Sequence, residues 1–270
     1  MGKIMTNIAV FGANGRMGRA LCEASINNES TELVCAAVRA NNELLGQAVK
    51  HFINQGDSTV TFSDETSVSA DTDVIIDFTL PVGMKKHLAH AVAHNIPMVI
   101  GTTGLTLDDM AELETAAKSI PIVFSRNYSV GINLLENLVK TAAKTLADDI
   151  DIEIFELHHK HKIDAPSGTA LMIGEAIAEA KGWQHDEVAV FDRSKDEQAK
   201  SQKEIGYSVM RGGDIVGEHT AYFAADGERL ELTHKASSRM TFAKGAVRAA
   251  AWLHNKPVGL YTMQDVLGFR

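Results

Sequence analysis

The apolar run 7–11 (NIAVF) breaks directly into GANGRMG, and nothing else in the 270 residues restricts the fold as strongly. A β-rich run ending at Gly12, followed by helical periodicity over 16–26, predicts strand, tight turn and helix. Gly12, Gly15 and Gly18 allow a close backbone approach, and the unpaired N–H groups of a helix start attract the oxygens of a pyrophosphate. Glycine spacing alone would suit a packed helix start equally well; its place immediately after a strand favours a nucleotide.

The alternation continues along the chain. Residues 33–38, 73–78, 98–101 and 122–125 read as strands, with helices over 81–94 and 106–118. This order predicts an α/β protein whose first 129 residues form a Rossmann-like dinucleotide-binding domain with a parallel sheet. Residues 47–62 are too irregular to place their strands. From 130 the pattern changes: Leu134, Leu135, Leu138 and Val139 mark an amphipathic helix that Ser129 can cap, and 149–154 (DIDIEI) alternates as a half-buried strand. A helix over 167–180 and candidate strands at 206–210, 216–223 and 229–234 follow, the strands separated by GGD and ADGE turn signals. Residues 130–239 are therefore expected to form a second α/β domain with a mixed, largely antiparallel sheet. The segment 192–203 reads as a surface loop, and 240–270 as a helix and short element returning to the first domain.

Charge narrows the function classes. With 35 acidic and 26 basic side chains, the formal charge of −9 argues against a nucleic-acid backbone or an anionic bilayer as partner. No stretch reaches the roughly 18 apolar residues of a membrane span, and no leader pattern opens the chain, so a cytoplasmic location is expected. Cys22 and Cys35 lie in apolar stretches and are too few for a disulfide scaffold or a four-cysteine zinc site.

Three further segments carry chemistry. At 38–39, where a dinucleotide site commonly places an acid for the ribose hydroxyls, stand Val38 and Arg39; a guanidinium suits an added 2′-phosphate. The loops GTTG (101–104) and SRNYSVG (125–131) each follow a strand and can face the cofactor, the second also serving as a hinge. The densest signal is ELHHKHKIDAPSGTA (156–170), in which His158, His159, Lys160, His161 and Lys162 precede Ser167, Gly168 and Thr169 at a helix start. That order favours a carboxylate site over a solvated charge run; no carboxylate or cysteine set completes a metal site around the histidines.

With GANGRMGR, IDFTLP, VIGTTG, the 156–170 motif, GDIVGEHTAYFA and THKASSRMTFAKGAVRAA, essentially the whole chain resembles the bacterial 4-hydroxy-tetrahydrodipicolinate (dihydrodipicolinate) reductases of lysine and diaminopimelate biosynthesis. The resemblance implies a homotetramer assembled through the second domains. It also implies NADH or NADPH reducing a cyclic dicarboxylate. Cofactor contacts carry over to Gly12, Ala13, Asn14, Gly15, Arg16, Met17, Arg39, Gly101, Thr102, Thr103, Ser125, Arg126, Asn127 and Tyr128. Substrate contacts carry over to His159, Gly168 and Thr169, and catalytic positions to His158 and Lys162, with Lys162 the preferred proton donor. Val38 departs from relatives that carry an acid there, which weakens NADH binding and leads to an expected preference for NADPH. Two other function classes fit the sequence less well. A semialdehyde dehydrogenase would need a cysteine beyond the nucleotide domain, and a nucleotide-sensing regulator would need a recognition-helix domain that the chain lacks.

Overall fold

Strands rich in Val, Ile and Ala on both faces need cover on both faces. A computed structural model describing residues 5–66, 68, 70–147, 149–194 and 198–269 shows how that cover is supplied. Two compact units are present, Met1–Val130 with Arg239–Arg270, and Gly131–Ser238. In the first, β1 (Thr6–Phe11), β2 (Thr31–Val38), β3 (Phe62–Asp64), β4 (Val74–Asp77), β5 (Met98–Ile100), β6 (Pro121–Phe124) and the late β12 (Gly259–Tyr261) make one sheet. Its order is β12-β6-β5-β4-β1-β2-β3, and every pairing is parallel.

Successive residues of β1 serve opposite cores. Ile8 and Val10 pack with Leu21 of α1 (Arg16–Ile26) and with Ala246 and Leu253 of α7 (Met240–Leu253). Ala9 and Phe11 pack with Leu88 of α2 (Pro81–Ala93) and Leu113 of α3 (Leu107–Ala116). Strand order reverses between β1 and β4, so the loops leaving these strands diverge and open a crevice at the carboxyl edge. β3 begins on the last residue of the irregular 47–62 stretch: with three residues and Phe62 as its only buried one, it carries no readable alternation.

The second unit holds α4 (Val130–Thr145) from its second residue onward, with β7 (Asp151–His158), α5 (Gly168–Lys181), α6 (His185–Val188), β8 (Ala189–Val190), β9 (Ile205–Arg211), β10 (Gly217–Ala225) and β11 (Glu228–Ala236). The sheet runs β11-β10-β7-β9-β8 and is mixed: the long β10–β11 and β10–β7 ladders are antiparallel, while β7–β9 and β8–β9 are parallel. Ile132, Leu135 and Val139 of α4, with Ile173 and Ile177 of α5, cover one face of the sheet through Ile152, Ile154 and Phe223. Residues 195–197 of the expected 192–203 loop lie outside the described residues.

One glycine governs how α7 sits in the first unit. A Cβ at Gly245 would fall 1.8 Å from the Tyr128 carbonyl oxygen, which is backbone and cannot swing aside. Gly245→Ala is therefore expected to cost about 2 kcal/mol or more through overpacking. The measurement is thermal unfolding of the purified chain: a midpoint lowered by several degrees is expected, and an unchanged midpoint would contradict this packing.

Candidate active site

In the first unit the sequence-marked loops emerge from the carboxyl ends of the parallel strands. Gly12 has φ +66, and the Thr79 methyl sits where its side chain would begin, 2.7 Å from an added Cβ. A Cβ at Gly18 would lie 2.1 Å from the Gly12 carbonyl oxygen, so α1 packs directly onto the loop. Ala13 is buried, whereas Gly15 and Arg16 are exposed and Asn14 and Met17 are half-buried. α1 starts with no side-chain cap and no acid in its first turn, leaving its positive end to an anion.

The loop after β2 begins with exposed Arg39, while Val38 is buried in the core beside it. After β5, the Phe78 ring covers Gly101, and Thr103 is exposed. Thr102 is 2% exposed, and its Oγ1 has no hydrogen-bond partner among the described residues. A buried hydroxyl without a partner costs free energy unless a ligand supplies one. After β6, Ser125 Oγ donates to the Asn127 carbonyl at 2.9 Å, and Arg126 is exposed. The buried Tyr128 hydroxyl shares its proton between the carbonyls of Ile100 and Val123, at 2.8 and 3.0 Å, tying β5 to β6. The uncapped helix start, the open glycine turn and the orphaned Thr102 hydroxyl fit a dinucleotide lying across these loops.

In the second unit, the apolar face of β7 changes character near its end. Its buried residues are Ile152, Ile154, Glu156 and His158, and facing Ile152, Ile154 and Glu156 on β10 are Phe223, Ala221 and His219. Two columns thus turn from hydrocarbon to ionisable groups at the same level. The Glu156 carboxylate takes His158 Nδ1 at 2.5 Å, two Arg211 nitrogens at 2.8 Å each and the Ser167 N–H at 3.0 Å. Burial opposes its ionisation, but the hydrogen bonds from His158 and Arg211, the electrostatic pull of His158 and the Ser167 amide prevail and hold the carboxyl at about 2. The carboxylate thereby draws an N–H from His158 Nδ1 and leaves Nε2 for other partners. A Cβ at Gly217 would stand 2.9 Å from that Nε2, so glycine there keeps the ring's approach open.

Ser167 links this cluster to α5. Its Oγ accepts the Ala170 N–H at 3.2 Å and lies 3.0 Å from His219 Nε2. Burial first, then neighbouring His158, pushes His219 down to about 3, so it stays neutral. Gly168 is exposed, with open space where a side chain would project, and Thr169 follows it in the first turn. Lys162 pairs with Asp164 at 2.9 Å, and its N–H bonds to the His159 carbonyl at 3.1 Å. Among the described residues no group of three or more His, Cys, Asp or Glu could hold a metal ion.

The structure thus gathers His158, Lys162, Gly168 and Thr169 along one strand end, loop and helix start of the second unit, and the nucleotide-loop residues along one edge of the first. Ser167, marked from the sequence at the helix start, joins the second cluster through its Oγ, and Glu156, Arg211 and His219 join it without a sequence signal of their own. Extending the 149–154 alternation by two periods puts Glu156 on the face of His158, which is a readable signal. Arg211 and His219 arrive from other strands, and no local pattern announces them.

Two family models match the chain. The family model described as "Dihydrodipicolinate reductase, N-terminus" matches residues 6–128, and "Dihydrodipicolinate reductase, C-terminus" matches 131–267. The 4-hydroxy-tetrahydrodipicolinate reductase of Pseudoalteromonas translucida (strain TAC 125) is 68% identical over 97% of this chain and 98% of its own length. That of Pseudomonas fluorescens (strain SBW25) is 52% identical over 97% and 99%. Among solved structures, dipicolinate-bound dihydrodipicolinate reductase from Paenisporosarcina sp. TG-14 shares the fold, with a TM-score of 0.71 and 23% identity over 97% of this chain and 99% of that one.

The Glu156 cluster carries a pH signature. The unfolded carboxyl takes its proton near 4.5 and the folded one near 2, so its stabilisation is complete above the first value and disappears as pH falls through the second. Glu156→Gln is expected to flatten stability against pH over that window, checked by urea midpoints at about pH 3 and about pH 6. An identical slope in both proteins would refute the assignment.

Proposed function

The chain belongs to the dihydrodipicolinate reductase family, and from that premise we propose that it reduces 4-hydroxy-tetrahydrodipicolinate to tetrahydrodipicolinate with NADPH preferred over NADH. It is an oxidoreductase of lysine biosynthesis. The observation that carries the finer reading is the single segment 156–169, in which a buried Glu156–His158 pair, Lys162 and an open helix start at Gly168 follow one another.

Bound NADPH supplies a hydride from its nicotinamide C4 to the conjugated ring of the substrate. The protein's own groups do the remainder. The α5 start, with the Gly168 backbone and the Thr169 hydroxyl, holds one carboxylate, and His159 holds the other. Lys162 delivers a proton to the ring position that gains negative charge, and His158, its Nδ1 held by Glu156, orients the substrate and serves the proton path. Loss of the substrate hydroxyl as water accompanies or precedes reduction. In the first unit, the residue 12–17 turn takes the pyrophosphate, Arg39 the 2′-phosphate, and the loops 101–103 and 125–128 the nicotinamide half. Buried Val38 offers no carboxylate to the ribose hydroxyls, which supports the NADPH preference. Exposed Val209, Met210 and Leu230 on the second unit's sheet support assembly through that unit as a homotetramer. The acidic balance supports a cytoplasmic enzyme without nucleic-acid or membrane partners. No described helix is long and apolar enough to cross a membrane.

A thiol-dependent dehydrogenase finds no support. Cys22 and Cys35 are both buried, and burial above all pushes Cys22 up to about 12, far from a thiolate at neutral pH.

Two outcomes test the assignment. Lys162→Ala is expected to lower kcat/KM about 100-fold or more, equivalent to about 3 kcal/mol of transition-state stabilisation, while the NADPH Kd stays within about twofold. Near-normal turnover would remove Lys162 from the proton-donor role. Arg39→Ala is expected to cut the NADPH-to-NADH ratio of kcat/KM about tenfold at fixed ionic strength, the scale of one charge-assisted contact. An unchanged ratio would show that preference arises elsewhere.

A further inference from the structure

The first unit contains a buried ionisable cluster that none of these roles uses. His87 of α2 is 5% exposed and lies between two carboxylates: its Nδ1 is 2.5 Å from Asp77 Oδ2 at the end of β4, and its Nε2 is 3.0 Å from Glu65 Oε2 just after β3. Asp77 is fully buried, and its other oxygen accepts the Thr79 N–H at 2.6 Å. Both oxygens of one buried acid are therefore committed, one to α2 and one to the turn at Phe78 and Thr79.

That turn touches both glycine-bearing loops of the crevice. The Thr79 methyl presses on Gly12, 2.7 Å from where a Cβ would stand. The Phe78 ring lies on Gly101, 2.3 Å from its notional Cβ, and its centroid is 5.2 Å from that of Tyr128. Phe78 and Thr79 form a wedge with the phosphate loop on one side and the 101–103 loop on the other. Glu65 in turn bonds through its N–H to the Val38 carbonyl at 3.2 Å, next to Arg39.

We propose that Asp77 and His87 are positioning residues for the dinucleotide, fixing the Phe78–Thr79 wedge that spaces the residue 12–17 loop from the 101–103 loop, with Glu65 anchoring the pair to the end of β2. This inference rests on the nucleotide site proposed above. An orphaned Thr102 hydroxyl can meet a ligand on one side only if its loop is held at fixed distance from the glycine turn, and the wedge is what stands between them. A neutral imidazole donates to one carboxylate and leaves a lone pair facing the other; an imidazolium donates to both. Burial opposes the charged ring, but Asp77 and Glu65 outweigh it and raise His87 above its usual range. His90, one turn further along α2, is itself pushed down by burial first, then by His94 and His87; Phe11, packed edge-on to the His87 ring from β1, carries no charge. As pH rises through the His87 value, the Glu65 link is lost and nucleotide affinity is expected to weaken.

The test is fluorescence titration of the full-length chain with NADH and with NADPH across neutral to alkaline pH. NADH is the primary probe because it lacks the ionisable 2′-phosphate. His87→Gln keeps one hydrogen bond to Asp77 and removes the titration. It is expected to raise Kd for both nucleotides about tenfold at neutral pH and to abolish the pH dependence assigned to His87. Glu65→Gln, at a partly exposed site, removes only the outer carboxylate's charge and is expected to raise Kd about threefold with the same loss of pH dependence, so the proposal stays testable if His87→Gln fails to fold. Wild-type affinities and an unchanged pH profile in either folded variant would overturn the positioning role, even with a lowered thermal midpoint. Failure of the wild-type chain to bind either nucleotide would overturn the underlying site as well.

Discussion

A carboxylate removed from water must be paired on all sides or give up its charge, and Glu156 is 1% exposed. The partners it recruits come from its own strand, from β9 and from the loop before α5. Arg211 reaches it with a two-pronged guanidinium and also donates to the Asp164 carbonyl at 2.6 Å, so the loop carrying Lys162 is fastened by the same side chain. Ser167 gives its N–H to the acid and its Oγ to the first turn of α5. One buried charge thereby holds a strand end, a loop and a helix start in register, and the groups assigned to proton transfer and carboxylate binding lie on these three pieces.

The first unit uses the same physics for a different end. Asp77 is as completely buried as Glu156 and likewise spends one oxygen on a histidine and the other on a backbone N–H. In both units a strand that is apolar along most of its buried face carries an acid at or near its end, and the chain leaving that strand is oriented by it. The cost of desolvating the acid is offset only when the loop is in place, which makes loop geometry part of folding rather than an addition to it.

Much of this was readable beforehand, for identifiable reasons. α1 was placed at 16–26 because a glycine turn and a helical period bracket it, and α2 because Pro81 marks its first position. The alternation of 149–154 revealed β7 but not its full reach, because the face that continues the pattern is occupied by Glu156 and His158 instead of hydrocarbon. β3 and β8 escaped notice, being three and two residues long. The 156–170 motif marks its candidate residues through their density. The cluster's second half, Arg211 and His219, lies 55 and 63 positions after Glu156 and is joined to it only by sheet register. The Asp77–His87–Glu65 cluster was equally silent, since none of its members forms a local pattern.

β12 has a meaning for the order in which the molecule is made. It is an edge strand of the first sheet, beside β6, yet it is translated after the whole of Gly131–Ser238, as is α7, whose Ala243, Ala246, Val247 and Leu253 belong to the core beneath that sheet. The second unit is a continuous stretch of chain and has all its strands and helices once Ser238 clears the ribosome. On a vectorially growing polypeptide it can close its core while the nucleotide-binding half still waits for its last helix and strand. The N-terminal half of the chain cannot complete its core until that last stretch has been made.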